Sequence, residues 1–228
     1  MAHYAPSITL VNSDEQELTS EAFENIDIEI TNSDSITVGA RQFIQKFTIF
    51  VDPNTGKDED AGDALNPLRT LSAAAVRSFD GGTIVLSEGS YGDAQISKNL
   101  TLRSASGSLA TVGHLDIVNA QVRVNRIRFS GELSGITVSN NNIGAVTVSE
   151  CLFENSESPV QIVGANYVSV LRNRFKGYDT AVQITGAREV CVSANIFCFG
   201  KRAVRVEDTT RVDVRRNSIY MSTLADPQ

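Results

Sequence analysis

The chain has 228 residues, of which 41% are hydrophobic and 7% aromatic, and its formal net charge at pH 7 is -7. This length suits one large domain, or one domain with an additional arm. An acidic chain lacks the basic surface that nucleic acid requires and is repelled by anionic membranes, and no stretch approaches the roughly 18 apolar residues of a spanning helix. The sequence therefore predicts neither a nucleic-acid partner nor membrane insertion.

Residues 1–47 form the first segment of the chain. Its part "FENIDIEITNSDSITVGARQFIQKF" alternates apolar and polar residues at 26–30 and at 36–38. Alternation of this kind is typical of half-buried strands, so we predict a small β-rich arm that serves for attachment, with a disordered tail as the alternative. The opening residues "MAHYAPSITL" lack the charged and apolar regions of a signal peptide. We therefore expect synthesis in the cytoplasm without one.

Residues 48–80 are predicted to hold a first strand, an acidic loop and a capping helix. Five residues of the loop carry side-chain oxygens that suit Ca²⁺: Asp52, Asn54, Asp58, Asp60 and Asp63. The EF-hand pattern fails, because Gly56 stands where a ligand is required. We interpret the segment as a solvated loop, keep a structural Ca²⁺ as the lesser alternative, and predict no other cofactor.

The helix is predicted to span residues 67–78. Asn66 is able to cap a helix and Pro67 suits the first helical position. Leu68, Leu71, Ala75 and Phe79 then recur at helical spacing. A short amphipathic helix before a repeat array covers the open apolar end of the first unit, as terminal caps do.

The rest of the chain repeats. "VSVLRNRF" at 168–175 returns as "VCVSANIF" at 190–197, and related segments begin at 122, 146 and 212. A second column reads "ITV" at 136, "VQI" at 160, "VQI" at 182 and "VRV" at 204. The first column is thus spaced 24, 22, 22 and 22 residues, and the second 24, 22 and 22. Two columns that share one insertion indicate a structural period. Each unit alternates with period two, which indicates strands.

This pattern predicts an all-β fold, a right-handed parallel β-helix of about six coils over residues 81–221, followed by a short tail at 222–228. Units of two or three short strands cannot enclose a core alone, so each coil pairs with the next through backbone hydrogen bonds. The register predicts an internal aromatic stack and a ladder of amides at a bend. The stack comprises Phe129, Phe153, Phe175 and Phe197, and the ladder comprises Asn173, Asn195 and Asn217. The ladder stops at Cys151 and Ile127, which occupy its column in the earlier coils.

The outward columns supply the candidate contact residues. Thr137, Gln161, Gln183 and Arg205 share one column and form a flat polar strip suited to a glycan or a protein, with an ordinary solvated face as the alternative. Glu157 and Asp179 are the one acidic pair expected on adjacent coils, and we interpret them as solvated surface groups. His3 and His114 are the only histidines, which argues against a histidine triad or a zinc site. We predict no catalytic residues.

The three cysteines, Cys151, Cys191 and Cys198, are odd in number and irregular in spacing. This argues against a disulfide framework. We predict free thiols, made in a reducing cytoplasm.

Four segments together resemble a known group: "FVDPNTGKD", "NPLRTLSAAA", "GGTIVLSEGSY" and "ISKNLTLRS". They are similar to the start of right-handed β-helix proteins of the pectate-lyase-like superfamily, and the resemblance covers residues 49–221. It implies the fold and leaves the function open, because that superfamily includes polysaccharide lyases, glycoside hydrolases, phage tailspikes and binding or structural rods. The motifs around the lyases' catalytic arginine and the acidic clusters of the hydrolases are missing here.

From these observations we predict a non-enzymatic structural or adhesive component of a phage or phage-like particle, such as a tail, spike, fibre or baseplate, in contact with a surface polysaccharide. The alternative is a small carbohydrate-active enzyme, either a polysaccharide lyase or a glycoside hydrolase. Residues 1–47 would attach the rod to other particle proteins. The apolar end formed by Val204, Val206, Val212 and Val214 predicts a homo-oligomer, with a trimer expected first by resemblance to phage rods of this fold.

Overall fold

The structure is a computed structural model that describes residues 15–18, 28–31, 48–139, 142 and 144–220. The chain divides into two compact units, Met1–Gln42 and Phe43–Gln228. In the first unit, strand β1 (Glu15–Leu18) pairs antiparallel with β2 (Ile28–Thr31). The alternating stretch at 26–30 overlaps β2, and the stretch at 36–38 lies outside the described residues.

The second unit is a parallel β-helix of about six coils, spaced about 22 residues apart. Its first sheet has eight strands among the described residues, because the entry strand before the coils and the last described strand after them also pair in it, and neighbouring strands run parallel. For example, Val168 lies opposite Val146 on one side and opposite Val190 on the other. The strands of this sheet are β3 (Thr48–Val51), β4 (Gly82–Leu86), β7 (Leu100–Ser104), β10 (Val122–Asn125), β13 (Ala145–Ser149), β16 (Tyr167–Leu171), β18 (Glu189–Ser193) and β20 (Arg211–Arg215).

The second sheet forms the other two sides of the coils. The strands of one side are β5 (Gly89–Tyr91), β8 (Ala110–Val112), β11 (Ile127–Ser130), β14 (Leu152–Glu154) and β21 (Ser218–Tyr220). The strands of the other side are β6 (Ala94–Ile96), β9 (His114–Ile117), β12 (Gly135–Val138) and β15 (Val160–Val163). Two long strands, β17 (Arg174–Thr185) and β19 (Ile196–Glu207), join the sides, because β17 pairs with both β14 and β15.

Aromatic rings fill one corner of the interior. The ring centroids of successive coils lie 4.9, 4.8 and 4.9 Å apart, and the planes differ by at most 12°. The four residues of this stack are fully buried: Phe129, Phe153, Phe175 and Phe197. The spacing equals that of neighbouring strands, so one ring per coil continues the stack without a gap.

An amide ladder follows one bend of the coils. The Asn195 Oδ1 atom accepts hydrogen bonds from the backbone and side-chain nitrogens of Asn173 at 2.8 and 3.1 Å, and Asn217 serves Asn195 in the same way at 2.9 and 3.1 Å. The ladder ends where the repeat predicts: Cys151 has no amide, its backbone N–H donates to Asn173 Oδ1 at 2.9 Å, and its thiol contacts the carbonyl of Ser149 at 3.3 Å. These amides satisfy turn groups that no strand pairs.

Helix α1 (Leu71–Arg77) covers the first coil with Leu71 and Ala74 buried. It begins four residues later than the sequence pattern predicts, so the predicted start at Asn66 and Pro67 is wrong. Leu68 is the reason: its N–H donates to Phe50 O at 2.9 Å and its carbonyl accepts from Asp52 at 2.8 Å, which holds the chain extended beside β3. The hydroxyl of Thr70 then caps the helix by accepting from the N–H of Ala73 at 3.1 Å.

The last described coil leaves its inward side chains open. Val206, Val214 and Ile219 are 45%, 50% and 55% exposed, whereas their partners one coil earlier, Ile184, Val192 and Phe197, are fully buried. Among the described residues, no helix is long and apolar enough to cross a membrane.

Candidate functional site

The predicted polar column lies on the second sheet and has more members than the sequence pattern predicts. Thr137 lies opposite Gln161, Gln161 opposite Gln183 and Gln183 opposite Arg205. The column continues toward the N-terminal end through Asp116 and Gln95. We call this ladder the polar strip: Gln95, Asp116, Thr137, Gln161, Gln183 and Arg205.

The side chains of the polar strip are at least partly exposed, and they alternate with the fully buried residues Ile117, Val138, Ile162 and Ile184. The strand period of two therefore directs every member of the strip outward from one sheet face. The 22-residue period does not predict the two N-terminal members, because Gln95, Asp116 and Thr137 follow one another at intervals of 21 residues.

His114 lies beside the strip and organises its N-terminal end. Its Nδ1 is 3.3 Å from the carbonyl oxygen of Leu133, its Nε2 is 3.0 Å from Thr137 Oγ1, and Asp116 Oδ1 is 3.6 Å from Nε2. A carbonyl oxygen only accepts, so Nδ1 donates and carries the proton. In the neutral ring Nε2 then accepts from the Thr137 hydroxyl.

A shallow pocket of about 410 Å³ opens over this cluster, lined by His114, Asp116, Asp93, Gln95 and Ser72 of helix α1. Asp93 Oδ1 accepts the backbone N–H of His114 at 2.7 Å, which fixes the strand start. The pocket therefore joins a histidine, two carboxylates and an amide at one end of the polar strip. The count of two histidines argues against a triad or a zinc site, but it carries no information about the residues that the fold brings beside His114.

Arg205 closes the other end of the strip. Its Nε donates to Glu207 Oε1 at 2.8 Å, and both side chains lie on the outer face two residues apart in β19. This ion pair balances the charge of the guanidinium.

The carboxylates of the acidic loop serve the loop itself. Asp58 Oδ1 accepts the N–H groups of Arg69 and Thr70 at 3.0 and 2.8 Å, and Asp63 Oδ1 accepts those of Leu65 and Asn66, both at 2.8 Å. The N–H groups of Asn66 and Leu65 lower the pKa of Asp63. Within the described residues no three His, Cys, Asp or Glu side chains group as metal ligands. Calcium binding at Asp52, Asn54, Asp58, Asp60 and Asp63 stays a prediction.

Glu157 and Asp179 lie on adjacent coils at a surface bend. Lys201 donates to Asp179 Oδ1 at 2.5 Å, and the two side chains are 85% and 49% exposed. Arg211 and Glu189 also lie opposite each other on adjacent coils, and the Arg211 guanidinium is 3.7 Å from Glu189 Oε1.

The three cysteines are free in the structure. Burial raises the pKa of Cys151 to about 12, so its thiol stays protonated and unreactive at neutral pH. Cys198 is also buried, and Cys191 lies partly exposed on β18.

No family model matches the chain, and no curated protein matches it. The parallel β-solenoid is structurally similar to two solved structures. A rhamnogalacturonan lyase aligns with 78% of this chain and 63% of its own, at 9% identity and a TM-score of 0.45. A GH136 lacto-N-biosidase from Eubacterium ramulus aligns with 77% of this chain and 68% of its own, at 8% identity and a TM-score of 0.27. The chain thus spans less than two thirds of the lyase, and neither structure is named as a phage protein.

Proposed function

We propose that this protein binds an extended, neutral polysaccharide along the polar strip. The observation that carries the proposal is the ladder of six polar side chains in register on adjacent coils, from Gln95 to Arg205. Coils advance by the strand spacing of about 4.8 Å, which is close to the length of one sugar ring in an extended chain. Amide, hydroxyl, carboxylate and guanidinium groups together donate to and accept from sugar hydroxyls.

The charge of the chain favours a neutral glycan. A formal net charge of -7 opposes a polyanion. Within the strip Asp116 is anionic, and the charge of Arg205 is balanced by Glu207. The strip therefore suits a ligand that is bound by hydrogen bonds, and it lacks the row of positive charges that an acidic polymer requires.

We place this binding in an adhesive role, as part of a phage or phage-like particle. The support is that Met1–Gln42 forms a unit separate from the β-helix, which suits a rod carried by a larger assembly. Mass spectrometry of purified particles, or labelling with an antibody against the chain, tests this part. Recovery of the chain only outside particles contradicts the particle role and leaves the glycan proposal standing.

Affinity gel electrophoresis tests the glycan proposal. The purified chain is run through gels that contain a neutral polymer (galactomannan, arabinoxylan, mixed-linkage glucan or dextran) or an acidic one (alginate or polygalacturonate). We expect retardation in a neutral gel and none in the acidic gels. Unchanged mobility in every neutral gel contradicts the proposal.

Glycan cleavage is the second candidate function, and the geometry of His114 favours it. An imidazole whose Nε2 faces Asp116 and Thr137 in a surface pocket is a group of the kind that exchanges a proton with a substrate. The test is an assay for reducing ends and for unsaturated products after long incubation with the same polymers. New products that disappear in His114→Ala support cleavage, and binding without products supports the adhesive role.

A further inference from the structure

A second pocket, of about 550 Å³, lies away from the polar strip, and six residues define its chemistry: Asn155, Glu157, Tyr178, Asp179, Phe199 and Lys201. It opens over the bend of β17, between the segment that pairs with β14 and the segment that pairs with β15. Three successive coils contribute to it. Its volume falls within the range of about 300–1,000 Å³ that is typical of small-molecule sites.

Phe199 is exposed in this pocket, unlike the phenylalanines of the core. Phe199 is 50% exposed, whereas the neighbouring Phe197 is fully buried in the aromatic stack. The core therefore does not need the ring of Phe199, and the ring presents its apolar surface to solvent.

The backbone at this position is one that phenylalanine rarely adopts. The residues one and two coils earlier, Gly177 and Asn155, have φ values of 69° and 56°, and Phe199 has the same left-handed conformation at 56°. Glycine and asparagine tolerate this region, but a bulky aromatic residue is strained there. The repeat thus supplies two residues that suit the bend, and the third coil replaces them with an exposed aromatic ring at a cost in stability.

Tyr178 makes the floor of the pocket rigid. Its ring packs edge-on against Phe175 and Phe197, with centroids 6.5 and 6.2 Å apart. A Cβ atom added to Gly200 would lie 2.0 Å from this ring, so the backbone beside Phe199 is packed directly against it. Burial raises the pKa of Tyr178 to about 12, and the hydroxyl stays protonated at neutral pH.

The rim of the pocket is polar. Lys201 pairs with Asp179 at 2.5 Å, and Glu157 is exposed one coil before Asp179. The side-chain oxygen of Asn155 lies over Gly177, where an added Cβ would meet it at 2.8 Å. The rim therefore has carboxylate and amide acceptors as well as amide and ammonium donors around one apolar ring.

We propose that this corner pocket is a separate subsite for a single neutral sugar residue, which stacks its C–H face on Phe199. A sugar ring is amphipathic in the same way as the pocket, with apolar faces and a rim of hydroxyl groups. The face covers the exposed aromatic surface, and the hydroxyls bond to Glu157, Asp179 and Asn155. The assignment of ligand class rests on the proposed function, but the pocket lies at a different bend of the coils and is tested separately.

Saturation-transfer NMR tests this subsite with five methyl glycosides at millimolar concentration: glucoside, galactoside, mannoside, xyloside and rhamnoside. We expect transfer to the ring C–H protons of at least one of them. Phe199→Asn is expected to reduce that transfer at least five-fold and to raise Tm by about 2–4 °C, because asparagine relieves the strained backbone. Tyr167→Ala is the matched control, since Tyr167 is equally exposed, at 51%, and lies on β16 of the first sheet.

Three results overturn the subsite: no transfer to any of the five glycosides, equal transfer in Phe199→Asn, or a lower Tm in that variant, which would show a structural role for the ring. The double variant Gln161→Ala, Gln183→Ala separates this proposal from the polar strip. Glycoside transfer that persists in this variant, while polymer binding is lost, supports two sites. If the wild type binds no polymer but shows glycoside transfer that depends on Phe199, the result supports the subsite and contradicts polymer binding along the polar strip.

Discussion

The ring of Phe175 lies 4.9 Å from the ring of Phe197, centroid to centroid, with 12° between their planes. Phe153 lies 4.8 Å away on the opposite face. Phe175 is therefore enclosed by one aromatic ring from each neighbouring coil.

Phe175→Ala is expected to lower the free energy of unfolding by about 3–5 kcal/mol, because it leaves a cavity between two fixed rings. Phe175→Leu fills part of that space and is expected to cost less. Urea denaturation followed by circular dichroism measures both variants. A loss below about 1 kcal/mol for the alanine variant would contradict the enclosed position of the ring.

Asn195→Ala is expected to destabilise the protein by roughly 2–5 kcal/mol. Its amide accepts two hydrogen bonds from Asn173 and donates one to the Val170 carbonyl at 2.8 Å, and each buried group left unpaired costs about 1–3 kcal/mol. Asn217→Ala is the control: Asn217 is partly exposed at the last coil, where water replaces the lost bonds, so a smaller effect is expected. An equal loss of unfolding free energy in the two variants would contradict the expectation that burial of the amide determines the destabilisation.

Lys201→Gln is expected to raise the pKa of Asp179 toward its ordinary value of 3.8, because the hydrogen bond from Lys201 holds that pKa below it. A carboxyl pKa that is lower in the folded state contributes stability above its unfolded value, and this contribution disappears as pH falls through the folded value. Both side chains are exposed, so we expect little change in stability at neutral pH. NMR titration of the Asp179 carboxyl measures the shift, and an unchanged pKa in the variant would contradict the pairing.

The exposed apolar end of the last described coil is expected to associate with a second copy of the chain, with a trimer expected first. Val206, Val214 and Ile219 together present a hydrophobic surface of the kind that interfaces cover. Val214→Lys is expected to shift light-scattering mass toward the monomer, while Val163→Lys, an outward position on β15 that is 38% exposed, leaves it unchanged. A wild-type monomer at tens of micromolar would contradict the prediction.

The repeat made the core predictable from sequence, because a 22-residue period places Phe153, Phe175 and Phe197 in one column without knowledge of the turns. Features outside that period were missed. The helix start depends on the pairing of Leu68 with β3, which is a long-range contact that local capping preferences at Asn66 do not contain. The His114 cluster lies in a column with a spacing of 21 residues. The proposed role of Phe199 rests on its left-handed backbone angle. Asn155 and Gly177 indicate that angle, but only when all three residues are aligned in one column.

The central claim is that the polar strip binds a neutral polysaccharide. The most direct test compares the affinity of a variant altered in the strip with that of a variant altered on the first sheet of the same coils. Gln161→Ala with Gln183→Ala removes the middle of the polar strip, and Thr147→Ala with Ser169→Ala is the matched control, since these residues are outward neighbours on the first sheet. Isothermal titration with the polymer that retards the wild type most is expected to show about ten- to hundred-fold weaker binding for the strip variant, as the loss of two or more hydrogen bonds implies. The control variant is expected to bind as the wild type does. Equal affinity of the strip variant and the wild type, or an equal loss in the control, would contradict the polar strip as the glycan-binding surface.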